Sequence, residues 1–207
     1  MQRCVIIGGA DIGNYEAVRN YLQPDDFIVC CDSGLKHRER LGVQPNLVIG
    51  DFDSSENPHL PVETIVLPCE KYDTDTMAAV REMQKRGFED FLLLGVFGGR
   101  MDHTLGNVYI LLWLKNRGYR VLAVDDYSEM EIVLPGEIGR IAPVHPYFSL
   151  LIIAGRAEGV TIKNAKYPLE NAIVTPEYQY TVSNEPLPGK TAEVSLSKGV
   201  LLLIRDR

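Results

Sequence analysis

The chain has 207 residues, enough for one large domain or two small ones around a sizeable buried core. Apolar residues make up 45% and charged residues 24%, and no apolar run approaches membrane-spanning length, so the composition is that of a globular protein with no membrane partner. The formal net charge of -7 argues against nucleic acid as a partner, because phosphate backbones call for a basic surface. In chain order, residues 3–7, 27–31, 47–49, 64–67, 91–96 and 120–124 are short apolar runs bounded by Gly, Pro or Asp, as in the buried strands of a parallel sheet. Residues 14–22, 34–41, 76–86 and 103–117 between them read as helices. The third carries Met77, Val80 and Met83 at helical spacing and ends at Gly87; the fourth carries Leu105, Val108, Leu111 and Leu114 and ends at Gly118. Alternating strands and helices imply an α/β fold with a doubly wound, mostly parallel sheet.

After Tyr127 the helical period disappears. Short β-like runs follow at 129–134, 148–154, 159–162, 171–174, 178–183, 191–195 and 200–204, separated by Pro- and Gly-containing turns. This half reads as an all-β, sandwich-like domain. The expected division is an α/β domain over 1–132 and a β domain over 133–207. Cys4, Cys30 and Cys31 fall in strand-like runs and no C-x-x-C spacing occurs, so buried free thiols are expected. The apolar run at the N-terminus is too short for a secretion signal, and a cytoplasmic location is the default expectation.

The chemistry is concentrated in turns. Gly50-Asp51-Phe52-Asp53-Ser54 follows the third strand, Lys71-Tyr72-Asp73-Thr74-Asp75 opens the third helix, and Gly98-Gly99-Arg100-Met101-Asp102-His103 opens the fourth. Asp51 and Asp53 are two apart in an extended or turn segment, so both carboxylates can face one cation at the carboxyl edge of the sheet. A polar turn bonded to its own backbone is the plain alternative. Asp73 and Asp75 repeat the spacing at a helix start, where one of them is expected as the N-terminal cap. The glycine pair allows a ligand close to the backbone, Arg100 offers a planar fork for phosphate, and Asp102 could be a cap alone. Asp32-Ser33-Gly34 adds a carboxylate after the second strand. Hard cations such as Mg²⁺ bind through one or two carboxylates together with substrate phosphates, so acidic loops with one Lys and one Arg suggest metal-assisted transfer from a polyphosphate.

Together, Gly50-Asp51-Phe52-Asp53-Ser54, Asp73-Thr74-Asp75, Gly99-Arg100-Met101-Asp102-His103 and the late Val182-Ser183-Asn184-Glu185 resemble the thiamine pyrophosphokinase family over nearly the whole chain. The resemblance implies a homodimer that transfers a diphosphoryl group from ATP to the hydroxyl of thiamine, giving thiamine diphosphate and AMP. It implies that Asp51, Asp53 and Asp75 hold Mg²⁺, that Arg100 and Asp102 face the phosphates and the reacting hydroxyl, and that Asp32 lines the nucleotide site. Lys71, Asp73 and His103 are further candidates for the ATP phosphates, and Ser183 and Asn184 for thiamine, across a dimer interface. Pro186-Leu187-Pro188 stands where some relatives carry an aromatic residue, so the platform for the thiamine rings falls to Leu187 or to an aromatic such as Tyr178 or Tyr180. The rival readings are a diphosphokinase acting on a pterin alcohol, a metal-dependent phosphohydrolase, and a non-catalytic Mg-nucleotide sensor.

Overall fold

The computed structural model describes residues 2–52, 60–70 and 72–207. They fold as two compact units, 1–126 and 127–207. The division places strand 128–133 wholly in the second unit.

The first unit is an α/β layer structure. Strands β1 (Cys4–Ile7), β2 (Phe27–Cys31), β3 (Leu47–Gly50), β4 (Glu63–Val66), β5 (Asp90–Leu94) and β6 (Arg120–Val124) lie in the order β4-β3-β2-β1-β5-β6. Each neighbouring pair is parallel. The chain runs outward from β1 to β4, then returns to β5 on the other side of β1. That reversal makes the carboxyl ends of β1 and β5 the place where an open α/β sheet forms its ligand crevice. Helices α1 (Tyr15–Arg19) and α2 (Arg38–Leu41) cover one face. There Val18 and Leu41 pack in one buried cluster with Val5, Ile7, Ile28, Cys30, Leu92 and Leu94. The alternate residues Cys4, Ile6, Val29 and Cys31 point the other way. Helix α3 (Asp75–Lys85) packs across β1, β2 and β3 and buries Ala79, Val80 and Met83. Helix α4 (Met101–Lys115) packs against β6.

Cys4, Cys30 and Cys31 are buried free thiols. Desolvation pushes all three thiols up, Cys30 to about 12, so they stay protonated.

The second unit is all β. Strands β7 (Ser128–Val133), β13 (Leu201–Asp206) and β9 (Phe148–Leu151) pair antiparallel in the order β7-β13-β9. Strands β8 (Gly139–Ile141), β10 (Ala157–Lys163), β11 (Leu169–Val174) and β12 (Ala192–Ser195) form a second antiparallel sheet, ordered β11-β10-β12-β8. Both sheets contribute to one core, with Val133, Phe148, Leu150, Leu201 and Leu203 meeting Ile141, Val160, Ile162, Val174 and Val194. This is the expected sandwich, with two changes. Strand β8 has no counterpart among the sequence-predicted strands. Segment 178–183, expected as a strand, instead follows β9 irregularly: Thr181 accepts from the Leu150 amide at 2.9 Å, and Ser183 turns into the left-handed region at φ 58°. Among the described residues no helix is long and apolar enough to cross a membrane.

Candidate functional site

The loops after β1, β2, β3 and β5 and the starts of α3 and α4 enclose a cleft of about 700 Å³ in the first unit. Its floor is acidic. Asp32 opens a 3-10 helix (Asp32–His37) directly after β2, Asp51 follows β3, and Asp75 begins α3. One carboxylate oxygen from each lies within 4.8 Å of the others, and no second group of this kind occurs among the described residues. Asp32 is only 5% exposed. Glycine makes the close approach possible: a Cβ on Gly50 would fall 2.6 Å from that of Asp32. After Asp51 the backbone enters the left-handed region at Phe52 (φ 54°), a conformation a bulky side chain adopts only under constraint.

Each pair of like charges at about 5 Å repels by roughly 3 kcal/mol at the effective dielectric of a protein. Three hard oxygen donors from three chain segments therefore fit a divalent cation that bridges them and offsets this repulsion. Asp32 joins Asp51 and Asp75 in the group, a grouping the sequence reading did not make. Asp53 and Lys71, the other residues expected at the metal and phosphates, lie outside the described residues.

The start of α3 corrects one expectation. Its cap is Thr74, whose Oγ1 accepts from the Met77 amide at 3.2 Å, not Asp73 or Asp75. Asp73 lines the cleft and pairs with Arg81 at 3.3 Å.

On the opposite wall, Gly98 and Gly99 have φ of 104° and 67°, open to a close ligand. Arg100 occupies the cap position of α4 without capping it, and Asp102 sits in the first turn. The guanidinium grips Asp102 two-pronged, with Nη2 2.6 Å from Oδ2 and Nε 3.2 Å from Oδ1. That grip, with the His103 amide, holds the Asp102 carboxyl below the usual carboxylate range. Arg100 and His103 line the cleft and are exposed; Asp102 lies just outside its wall, facing Arg100.

In sequence the loop after β1, Gly8-Gly9-Ala10, resembles a phosphate loop only weakly, lacking both G-x-G-x-x-G and G-x-x-x-x-G-K-[ST]. The amides of Gly8 and Ala10 bond to Leu94 and Gly95 carbonyls at 2.8 Å each. The Ala10 carbonyl, which can only accept, lies 2.9 Å from His37 Nε2, so that nitrogen carries the proton. Nδ1 then accepts from Tyr15 Oη at 2.5 Å. Burial pushes the His37 imidazole down from its ordinary value, which keeps it neutral and this tautomer fixed. Next to it, Lys36 lines the cleft and pairs with Asp11. A histidine and lysine in an otherwise helix-like run carry no spacing signature that would have marked them.

In the second unit the Ser183-Asn184 pair divides into an inner and an outer residue. Asn184 is 3% exposed. Its Oδ1 accepts from the amides of Tyr167 (3.0 Å) and Glu185 (2.9 Å), and its Nδ2 donates to the Tyr167 carbonyl at 2.8 Å. Ser183 is exposed, and its amide donates to Ser149 Oγ at 3.0 Å. Nearby in sequence, Tyr178 and Tyr180 lie 5.3 Å apart between ring centroids, tilted by 34°, and both are exposed. Leu187 is half-buried.

Residues 18–123, more than half of the chain, match the model of the family's catalytic domain, described as "Thiamin pyrophosphokinase, catalytic domain". Residues 133–201 match "Thiamin pyrophosphokinase, vitamin B1 binding domain". The chain belongs to the thiamin pyrophosphokinase family. The thiamine pyrophosphokinase of Bacillus subtilis (strain 168) is 25% identical over 213 residues, covering 100% of this chain and 99% of that relative. Among solved structures, a thiamin pyrophosphokinase from Geobacillus thermodenitrificans superposes with a TM-score of 0.84 at 27% identity, covering 100% and 98% of the two chains. The Bacillus subtilis structure superposes with a TM-score of 0.87 at 22% identity and 99% coverage of each, a likeness of fold. In this thiamin pyrophosphokinase family member the catalytic-domain match falls on the unit that holds the cleft, and the vitamin B1 match on the β-sandwich.

Proposed function

We propose that the chain is a thiamine diphosphokinase, working as a cytoplasmic Mg²⁺-dependent homodimer that transfers the terminal diphosphoryl group of ATP to the hydroxyl of thiamine. Family membership supports the reaction. The observation that carries this reading is the convergence of Asp32, Asp51 and Asp75 at the carboxyl edge of the sheet, in one cleft with the ends of β1 and β5 and the glycine loop that ends in Arg100.

In the transfer, the thiamine hydroxyl oxygen bonds to the β-phosphorus of ATP as the bond from that phosphorus to the α–β bridging oxygen breaks, and AMP leaves. Such transfers need positioning and charge neutralisation more than covalent help. Asp32, Asp51 and Asp75 would hold Mg²⁺, with Asp53 as a further candidate, and the ion would neutralise charge on the phosphate oxygens. Arg100 turns its fork from Asp102 to the phosphates. Asp102, then released, accepts the hydroxyl proton at a carboxylate oxygen. A loose transition state demands only a weak base, so a carboxylate suffices. Asp73 and His103, which line the cleft, would meet the phosphates, with Lys71 as a further candidate. Ser183 meets thiamine through its exposed hydroxyl, and Asn184 shapes the loop that presents it.

The test is to incubate the pure protein with ATP, Mg²⁺ and thiamine and to identify products by ³¹P NMR and chromatography. Thiamine diphosphate with matching AMP is the expected outcome. ADP with free phosphate would mean hydrolysis, AMP formed only with a pterin alcohol would change the acceptor, and nucleotide binding without turnover would make the protein a sensor.

A further inference from the structure

Among the described residues the cleft wall carries two permanent cations, Arg100 and Lys36, facing Asp11, Asp32, Asp51, Asp73 and Asp75. A polyphosphate entering so acidic a space needs cations whose positions are set in advance. Lys36 stands on the 3-10 helix Asp32–His37, and that helix is fixed on both sides of it. Gly34 lies flat against the end of β1, where a Cβ would fall 2.1 Å from the Ile7 carbonyl oxygen. His37 is clasped between Tyr15 and the Ala10 carbonyl. The backbone of Lys36 is thus held by its neighbours, while its ammonium group lies 2.7 Å from Asp11 Oδ1.

That ion pair is weakly held. The Asp11 side chain is 98% exposed and that of Lys36 45%, and an ion pair in water contributes little to stability. The arrangement parallels Arg100, which is also paired with an exposed aspartate on the rim of the cleft. In both, a flexible cation rests on a replaceable carboxylate beside the proposed phosphate path. A triphosphate offers more charge and more acceptor oxygens than one carboxylate, so exchange favours it.

We propose that Lys36 is a phosphate-binding residue of the nucleotide site, paired with Asp11 in this structure and moving onto a non-bridging oxygen of the ATP polyphosphate. The inference rests on the diphosphokinase reading above.

Two measurements test it: Mg-ATP affinity by calorimetry, and KM for ATP and for thiamine, on wild type, Lys36→Met, Lys36→Arg and Asp11→Asn. Lys36→Met is expected to weaken Mg-ATP about tenfold or more with KM for thiamine unchanged, and Lys36→Arg to recover most of the loss. Asp11→Asn is expected to bind Mg-ATP no more weakly than wild type, because it releases the lysine that the nucleotide must otherwise win. If the pair were only a structural tie, both single variants would lose the same bond and weaken together, and that result overturns the proposal. Lys36→Met binding Mg-ATP as wild type does also overturns it. A wild-type chain that does not bind Mg-ATP overturns the diphosphokinase reading, and the role of Lys36 with it.

Discussion

At the scale of single residues, Asp32 shows how position and residue type combine. It is a carboxylate placed almost out of water beside two others, and Gly50 is the neighbour that makes room for it. Asp32→Asn keeps the size and removes the charge, so it is expected to lower kcat by at least tenfold while the thermal midpoint holds or rises, because one source of repulsion is gone. Steady-state kinetics over a Mg²⁺ titration, together with a thermal melt, check both halves. Turnover at the wild-type level would remove Asp32 from the metal group. The sequence displays Asp32 as a carboxylate after a strand, but its neighbours in space come from residues 19 and 43 positions away, and residue spacing cannot show that distance. The cap of α3 was equally hidden. Asp73, Thr74 and Asp75 are all good caps, and which one bonds the Met77 amide depends on where the first helical turn begins.

At the scale of elements, the six parallel strands and the two long helices were legible because a buried strand is a short apolar run and a covering helix repeats every three to four residues. The strand that escaped has too little sequence to carry a period: Gly139–Ile141 is three residues long, while the helix expected over 14–22 is present but shorter, at Tyr15–Arg19. Segment 178–183 has strand-like composition, yet it bonds to the edge of β9 through single contacts and turns at Ser183. What fixes that segment is Asn184, whose buried amide ties it to residues 167 and 185. Asn184→Ala would leave these backbone groups without their partner, and a loss of about 2–3 kcal/mol is expected in urea unfolding. Ser183→Ala, on the exposed side, is expected to keep stability within about 0.5 kcal/mol and to raise KM for thiamine. A neutral Asn184→Ala would mean that the loop is held by other contacts.

At the scale of the whole molecule, ligand binding and folding are linked. Whatever binds only the folded state stabilises it, by about 2.7 kcal/mol at a hundred times its dissociation constant. Mg-ATP at that excess is therefore expected to raise the melting temperature by several degrees, and EDTA to remove most of the rise, because the acidic group without its cation repels the phosphates. Differential scanning fluorimetry with ATP, Mg-ATP and EDTA reads this directly; an equal rise with and without Mg²⁺ would separate nucleotide binding from the carboxylates. Net charge shows the same contrast between whole and site. A chain of -7 accepts a polyanion only where local cations and a metal outweigh the global sign.

The three carboxylates on the cleft floor hang from the ends of neighbouring strands and from the helix that crosses them. Their meeting depends on the parallel register that sets Val29 against Leu47 and Cys31 against Ile49. A slip of one residue between β2 and β3 would turn the side chain after β3 to the opposite face and pull the trio apart. With the proposed cation on this trio, affinity for it becomes a gauge of strand alignment: a misfolded chain would keep every aspartate and lose the chelate, and a metal titration is expected to sort correctly zipped molecules from the rest before any substrate is added.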